Sequence, residues 1–256
     1  MLSTFQKLEN QILHLKKNYS LIGIKAEFET EGSSYEDVAL LRHLTSKTNT
    51  KLYVKVGGVE ALNDIRFLIS LNIDGIIAPM VETEFAAWKF ISSINKNYLD
   101  FKPHLSINIE SKTAIDNFEK IYKISKNDID NITIGRTDLS QSFFNKKITP
   151  NSDYILKKII EISNKVDKKD QVTITVGGGI DKNTLEIYKK VKNFKNKINK
   201  METRKVILPV KSFLNKKKAI ESALKFEELY LLMKNEIINF KSKSDLSRLA
   251  ILRTRK

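Results

Sequence analysis

Oxygen-bearing side chains follow two neighbouring apolar runs of this sequence, at the points where buried strands would end. Glu110 closes one run with Asn108 two residues before it, and Asp138 follows the next run. Side chains two residues apart on a strand share a face, so Asn108 and Glu110 are expected to lie together. Carboxylate and amide oxygens suit hard cations such as Mg²⁺ or Mn²⁺ and do not suit zinc. The pattern therefore predicts a divalent-metal site.

A second group of charged side chains follows the first two apolar runs. Glu27 and Glu29 come at the end of the first run, and Lys55 ends the second. A carboxylate in such a place can move a proton, and a lysine can bind an anionic substrate. Much later, Gly177–Gly179 precede a helical pattern, where exposed backbone N–H groups favour an anion.

The absence of cysteine excludes thiol chemistry, and the positions of the histidines argue against a catalytic histidine. The chain has no cysteine and three histidines. His14 and His43 fall within helical patterns, and His104 begins a strand, on the side opposite the candidates above. A serine triad is not expected either, because no Gly-x-Ser-x-Gly turn is present.

Apolar runs alternate with helical patterns, which is typical of a sheet built from βα units. The alternation allows an open doubly wound sheet or a closed barrel, and we favour an α/β fold of the TIM-like (β/α) barrel type. Only seven strands are visible, and Met1–Lys17 has the pattern of an amphipathic helix, so the first strand is expected to be irregular or missing unless another strand escapes detection. The predicted strands are Leu21–Glu27, Leu52–Val56, Gly75–Pro79, Leu105–Glu110, Ile132–Gly135, Val172–Gly177 and Lys205–Val210.

Length and composition favour a single domain over residues 1–256. The chain has 256 residues, 41% of them hydrophobic, which suits one barrel. No flexible linker divides it, although Lys189–Lys200 forms a charged spacer before the last strand. We predict a C-terminal helix over 216–240 and a basic tail over 241–256. The apolar residues of that helix cover too much of its circumference for one buried face, which predicts a homo-oligomer formed through it.

The formal net charge of +15 raises the possibility of nucleic-acid binding. Most of this charge is lysine spread over helix faces, however, and no nucleic-acid-binding motif is present. No apolar run is long enough to span a membrane, and the amino terminus lacks the pattern of a signal peptide. We therefore predict a cytoplasmic protein whose partner is neither nucleic acid nor membrane.

Two segments resemble a known family. Ser106–Asn117 reads SINIESKTAIDN and Ile132–Ser140 reads ITIGRTDLS. They resemble the HpcH/HpaI aldolase and citrate lyase family, in which one strand ends in Ile-Glu-Thr/Ser and the next ends in a Gly two residues before Asp-Leu. The similarity covers the chain from Leu21 to about Ser142. It implies a barrel that acts on pyruvate, phosphoenolpyruvate or acyl-CoA substrates.

The resemblance also implies roles for individual residues. Glu110 and Asp138 would hold Mg²⁺ or Mn²⁺. The family's catalytic His after an early strand is absent, and Glu27 or Glu29 is the candidate in its place. Lys55 stands where the family has Arg, so it keeps the charge but loses the bidentate fork; we predict that it is catalytic and also binds substrate. The predicted substrate-binding residues are Lys55, Arg136, Gly177, Gly178 and Gly179.

The function predicted from these features is that of a metal-dependent carbon–carbon lyase or aldolase. It would act through an enolate on a small anionic substrate, either a pyruvate-like 2-oxo acid or an acyl-CoA. Two alternatives stay open. A phosphate-binding barrel would use Gly177–Gly179 on a phosphosugar without an essential metal. A catalytically inactive barrel would act as a scaffold or polyanion binder.

Overall fold

The computed structural model describes residues 2–97 and 102–253. Its strands close into one barrel in the order of the sequence, and the predicted TIM-like fold is confirmed. The strands are β1 Gly23–Glu27, β2 Leu52–Lys55, β3 Gly75–Ala78, β4 His104–Ile109, β5 Asn131–Gly135, β6 Thr173–Gly177, β7 Lys200–Glu202 and β8 Val206–Pro209.

Helices surround the barrel and follow most of its strands. Several begin with a side-chain cap; in one, Ser34 accepts the N–H of Asp37, which satisfies a helix-end donor. The helices are α1 Leu2–Tyr19, α2 Tyr35–Lys47, α3 Leu62–Ser70, α4 Glu84–Asn95, α5 Lys112–Asp116, α6 Phe118–Ser125, α7 Arg136–Gln141, α8 Asp153–Lys165, α9 Lys182–Lys189, α10 Phe194–Lys197, α11 Val210–Asn215 and α12 Ala219–Arg253.

The strand that sequence analysis missed is β7, and the expectation of an irregular or missing first strand was wrong. β1 is regular and pairs in parallel with β2. β7 has three residues and begins at the end of the segment taken as a charged spacer. Met201 is its single apolar residue, too little to give a strand pattern. β8 runs antiparallel to both β7 and β1, so the barrel is mixed.

The main apolar core lies between the sheet and the helices, while the inside of the barrel is largely polar apart from a small apolar cluster of Tyr53, Ile77 and Ile207. Outward-facing strand residues such as Ile24 and Ile107 are fully buried. Inside, Asn131 Nδ2 donates to Ser106 Oγ at 2.8 Å and to Thr133 Oγ1 at 3.1 Å. TIM barrels usually fill this space with branched apolar side chains. Here a hydrogen-bonded layer takes their place.

The C-terminal helix is longer than predicted. A helix over 216–240 followed by a basic tail was expected, but α12 continues to Arg253, and residues 254–256 lie outside the described part. No glycine or proline interrupts the segment, so nothing local ends the helix at residue 240. Phe226, Tyr230 and Met233 are buried, whereas residues 238–250 are exposed. Among the described helices, none is long and apolar enough to cross a membrane.

Candidate functional site

A polar cavity of about 140 Å³ opens at the carboxyl ends of the strands. A second cavity of about 10 Å³ lies deeper in the barrel, and the side chains of Thr133 and Glu202 line both. Most of the residues predicted for the site meet at the upper cavity: those in its lining are Glu27, Lys55, Glu110, Asp138, Gly177, Gly178 and Gly179.

Glu110 follows β4 and is held in the cavity wall by two hydrogen bonds. Its Oε1 accepts the backbone N–H of Met80 at 3.0 Å, and its Oε2 accepts Asn108 Nδ2 at 3.1 Å. The carboxylate lies against Gly135, where an added methyl group would overlap it. Burial raises the pKa of Glu110, with Asp138 adding to the effect and Lys55 opposing it. The surroundings of Glu110 therefore destabilise its charged form.

Asp138 lies in the first turn of α7, directly after β5, and lines the same cavity. Burial raises its pKa too; the charges of Glu29 and Glu27 add to the rise, while Lys55 opposes it. Among the described residues, no lysine or arginine forms an ion pair with Glu110 or Asp138. Two carboxylates of raised pKa thus share one cavity, where the charge of Lys55 only partly offsets the effect of burial.

The donors on this side fit a hard divalent cation. Besides the two carboxylates, Asn108 Oδ1 is buried and has no hydrogen-bond partner. A metal ion would satisfy that oxygen and relieve the repulsion between Glu110 and Asp138. Within the described residues, no group of three or more His, Cys, Asp or Glu side chains is placed to hold a metal. The candidate metal ligands are therefore two carboxylates and one amide oxygen, and substrate or water would complete the coordination of the ion.

Five charged side chains of alternating sign follow one another on the other side; four of them line the cavity, whereas Glu29, a predicted catalytic residue, is not part of the lining and pairs with Lys55 behind it. Lys55 Nζ lies 2.6 Å from Glu29 and 3.6 Å from Glu27. Lys25 Nζ lies 2.8 Å from Glu27 and 2.6 Å from Glu202. Burial opposes the charge of Lys25, but Glu202 and Glu27 outweigh it and raise the pKa of the lysine. Although burial alone would raise it, Lys25 and Lys55 lower the pKa of Glu27 to about 2.

Arg136, predicted to bind substrate, does not line the cavity. Its side chain is fully buried, and its donors are taken up by protein acceptors. Nε donates to the carbonyl of Gly177 at 3.2 Å and Nη2 to the carbonyl of Gly178 at 2.5 Å. Nη1 donates to Asn151 Oδ1 at 2.8 Å, and Nη2 also reaches Thr184 Oγ1 at 3.4 Å. The arginine thus holds the glycine turn, and we do not propose it as a substrate-binding residue.

The glycine turn itself reaches the cavity as expected. Gly178 and Gly179 have φ angles of +82° and +61°, which side-chain-bearing residues rarely adopt. Gly178 also packs against the backbone of Thr137 at the start of α7, where a Cβ would lie 2.7 Å from the Thr137 nitrogen. The turn needs glycine for both reasons.

No histidine takes part in this cavity, in line with the sequence analysis. His14 lies on α1 and His43 on α2. His104 starts β4 and packs edge-on against Tyr53, with ring centroids 5.4 Å apart. Burial lowers the pKa of His104 to about 4, so its ring is neutral near neutral pH.

Three charged residues of the lining were missed by sequence analysis: Lys25, Glu202 and Arg204. Lys25 could have been found, since it precedes Glu27 by two residues and therefore shares its face of β1. Glu202 and Arg204 could not, because they belong to β7 and the turn after it. An analysis that does not detect β7 has no reason to place Glu202 and Arg204 at the mouth of the barrel, the end where the carboxyl ends of the parallel strands meet.

Comparisons with known proteins agree on one family. The family model described as HpcH/HpaI aldolase/citrate lyase matches residues 37–174. An HpcH/HpaI aldolase from Desulfitobacterium hafniense DCB-2 has a TM-score of 0.57 and 12% identity, over 70% of this chain and 76% of that one. The citrate synthase SbnG has a TM-score of 0.54 and 17% identity, over 64% and 71% respectively.

A third similar structure is an HpcH/HpaI aldolase/citrate lyase family protein from Burkholderia cenocepacia J2315. It has a TM-score of 0.52 and 13% identity, over 60% of this chain and 70% of that one. At such identities the structural likeness concerns the fold. No curated protein is a significant match to the chain.

Proposed function

Because the chain belongs to the HpcH/HpaI aldolase/citrate lyase family, we propose that it is a metal-dependent carbon–carbon lyase or aldolase acting on a pyruvate-like 2-oxo acid or an acyl-CoA. One observation carries the metal dependence. Glu110 and Asp138 share a cavity and form no ion pair among the described residues, beside the unsatisfied oxygen of Asn108, although Lys55 lines the same cavity.

Glu110 and Asp138 are the residues that would hold Mg²⁺ or Mn²⁺, with Asn108 beside them. When bound, such an ion supplies Lewis-acid stabilisation of the negative charge that develops on a carbonyl oxygen as an enolate forms. The chain's own part is to fix the Glu110 carboxylate, through the N–H of Met80 and the amide of Asn108, and to place Asp138 in the same cavity at the start of α7.

Lys55 would bind the negative charge of the substrate. Burial lowers its pKa, but Glu110, Glu27 and Glu29 outweigh burial and the net pKa is raised. The ammonium is therefore a permanent positive charge in the cavity wall. It is compatible with an anionic substrate and repels a metal cation.

Glu29 is the carboxylate that we propose to move the proton. Glu27, the other candidate, has a pKa near 2 and two lysine partners, so it is a weak base at neutral pH. Among the described residues, Glu29 forms an ion pair with Lys55 alone, and it is the more exposed of the two carboxylates. Glu27 then serves to hold Lys25 and Lys55 in place.

Calorimetry with Mg²⁺ and Mn²⁺, with and without oxalate, tests this function. Oxalate resembles the enolate of pyruvate and binds through a metal ion. We expect wild-type protein to bind either metal, Glu110→Ala and Asp138→Ala to lose metal binding, and Lys55→Ala to keep the metal but bind oxalate at least about tenfold more weakly. Asp128→Ala, which changes an exposed carboxylate, is the control and should match wild type.

Two outcomes would favour the alternatives. Wild-type affinity for metal in both Glu110→Ala and Asp138→Ala would contradict the metal site, and inorganic phosphate binding in EDTA would then support the phosphosugar barrel. Absence of metal and oxalate binding in wild-type protein would support an inactive barrel.

We also propose a cytoplasmic homo-oligomer that assembles through α12. Leu224, Leu231 and Leu232 are exposed on the part of this helix that also packs against the barrel. Light scattering at micromolar concentration should give a multiple of the monomer mass, and Leu231→Glu with Leu232→Glu should reduce it. A monomeric wild-type protein would contradict this proposal.

A further inference from the structure

We propose that Lys200 is a modification site, a nucleophilic amine at the closed end of the barrel that takes up a small acyl group from a thioester such as acetyl-CoA. The closed end is the end opposite the mouth, where the parallel strands begin. The inference does not depend on the function proposed above, since Lys200 is not part of the lining of the upper cavity.

Lys200 begins β7, and its side chain points into the barrel. Met201, the next residue, is fully buried in the core between the sheet and the helices, so Lys200 and Glu202 on either side of it face inward. Lys200 lines the small lower cavity of about 10 Å³, together with the apolar side chains of Tyr53 and Ile207. The lysine is half-buried. Its amine is therefore largely removed from water, but solvent still reaches part of the side chain.

No acidic side chain forms an ion pair with Lys200 among the described residues. Glu202, the carboxylate on the same face of β7, binds Lys25 instead, with 2.6 Å between Lys25 Nζ and Glu202 Oε1. Asp130 uses its Oδ2 to accept the backbone N–H of Leu105 at 2.8 Å. Lys200 therefore carries the cost of burial without the compensation that Lys25 receives from its two carboxylates.

The charges near Lys200 leave a sizeable fraction of its amine neutral at ordinary pH. Burial lowers the pKa of Lys200 to about 8; Lys51 adds to this effect, while Glu202 and Asp130 oppose it. A neutral lysine amine is a nucleophile, and removal from water beside a second cation is one way in which proteins produce it. Both conditions are met at Lys200.

The other titratable side chains in the described lining of the lower cavity, apart from Glu202, are uncharged at neutral pH. Burial lowers the pKa of His104 to about 4 and raises the pKa of Tyr53 to about 12. His104 Nδ1 is also buried without a hydrogen-bond partner. The lower cavity thus supplies no charge that would hold the Lys200 amine in its protonated form.

Among the described lysines, Lys200 combines a lowered pKa with access to solvent. Burial lowers the pKa of Lys205 as well, but that side chain is almost completely buried and forms an ion pair with Glu31. Lys25 and Lys55 are paired with carboxylates, and their pKa values are raised. An ordinary exposed lysine is almost fully protonated at neutral pH. Acylation should therefore select Lys200.

The reaction replaces the charge of Lys200 with a neutral amide. The amine attacks the carbonyl carbon of the thioester, a C–N bond forms, and the C–S bond breaks with its electron pair leaving on sulfur. The proton lost by the amine is taken up by the thiolate through solvent, so the products are an acylated lysine and a free thiol. A neutral amide is less costly to bury than an unpaired ammonium. An imine with an aldehyde or ketone would become protonated and restore the charge, which favours the acyl adduct.

The size of the lower cavity limits the acyl group. A space of about 10 Å³ holds no more than one water molecule, so the acyl group must lie toward solvent at the closed end. A short acyl chain leaves the least apolar surface exposed there. Acetyl-CoA is therefore the probe of choice.

Labelling of the whole protein with deuterated acetyl-CoA tests the inference. Peptide mass spectrometry compares Lys200 with Lys168, an exposed lysine after α8. In folded wild-type protein at pH 7.5 we expect Lys200 to react about tenfold faster or more, with a rate that rises with pH and levels off above about pH 8. Protein unfolded in urea is the control, where both lysines should react at similar rates. If Lys200 reacts no faster than Lys168 in the folded protein, the proposal is overturned.

Two exposed neighbours provide variants that change the charge near Lys200 and leave its access to solvent unchanged. Lys51→Gln removes a repelling cation and should slow the labelling of Lys200 at pH 7 by about two- to threefold. Asp130→Asn removes an attracting charge, keeps an acceptor for the Leu105 N–H, and should accelerate labelling by a similar factor. Lys146→Gln, which changes an exposed lysine after α7, is the control and should match wild type. Wild-type labelling rates in both Lys51→Gln and Asp130→Asn would show that exposure alone governs the reaction and would contradict the proposal.

Discussion

The two sides of the barrel mouth hold their charges in opposite ways. After β4 and β5, Glu110 and Asp138 lack an ion-pair partner among the described residues, and burial raises the pKa of both. On the β1, β2 and β7 side, lysines separate the carboxylates, and the pKa of Glu27 is lowered. The protein supplies ion-pair partners on one side, and on the other it supplies none within ion-pair distance among the described residues. The comparison shows that a buried charged side chain stabilises the fold where the protein supplies its ion-pair partner. Where the protein supplies none, the side chain is available to bind a ligand.

Removing the central cation of the paired side should have the largest effect. Lys25→Met leaves Glu27 and Glu202 buried without their shared partner, and we expect a loss of about 3–5 kcal/mol in unfolding free energy. Urea unfolding followed by circular dichroism measures it. Lys47→Met breaks an ion pair of similar length, 2.6 Å to Glu9, at the surface; it should cost about 0–1 kcal/mol. Equal losses of unfolding free energy in both variants would show that the buried ion pairs of Lys25 stabilise the protein no more than a surface ion pair does.

On the unpaired side, filling the space beside Glu110 should disturb both metal binding and folding. Gly135→Ala places a methyl group where the Glu110 carboxylate lies, so the carboxylate must move. We expect about tenfold weaker Mg²⁺ binding by calorimetry and a loss of about 1–3 kcal/mol in stability. Gly58→Ala meets open space and should change neither quantity. Unchanged Mg²⁺ affinity in Gly135→Ala would separate Glu110 from the metal site.

Neutralising one carboxylate on each side should move stability in opposite directions. The folded pKa of Glu110 is raised, so its charge destabilises the metal-free fold at neutral pH. Glu110→Gln should therefore add about 1 kcal/mol, a gain that disappears as the pH falls through the ordinary carboxyl range. Glu27 has the opposite shift and Glu27→Gln should destabilise the protein.

The pH dependence of the Glu27 effect follows from its two pKa values. The contribution of the ionised Glu27 is fully present above its ordinary pKa of 4.5 and is lost as the pH falls toward about 2. Urea unfolding of wild type, Glu27→Gln and Glu110→Gln between pH 3 and pH 8, without metal, checks both signs. A stabilising effect of Glu27→Gln at pH 7 would contradict the pairing described here.

The same contrast explains how far sequence reasoning reached. β4 and β5 have five or six residues in which leucine or isoleucine alternates with smaller or polar residues, so both strands, and the positions of Glu110 and Asp138 after them, could be predicted. β7 has three residues, two of them charged. Its pairing with β6 and β8 stabilises it as a strand, and such tertiary pairing has no local pattern.

Arg136 shows a different limit. Its position at a strand end was predicted correctly, but its side chain points to acceptors that come from the turn before α8, from α9 and from the glycine turn. Those acceptors lie 15 or more residues away in the chain. Local spacing therefore indicates that an arginine reaches the mouth region, and the long-range fold decides what it binds.

The polar interior of the barrel has a consequence for how deep a substrate can enter. Thr133 and Glu202 separate the upper cavity from the small one below it, so in places the floor of the site is one side chain thick. In a barrel filled with branched apolar side chains, a deeper pocket would require removing a packed layer. Here, shortening Thr133 would join the polar cavity to a small space that already exists below it and that Tyr53, Ile77 and Ile207 partly line. A variant adapted to a longer acid can thus grow its pocket down the barrel axis and leave the loops at the mouth untouched.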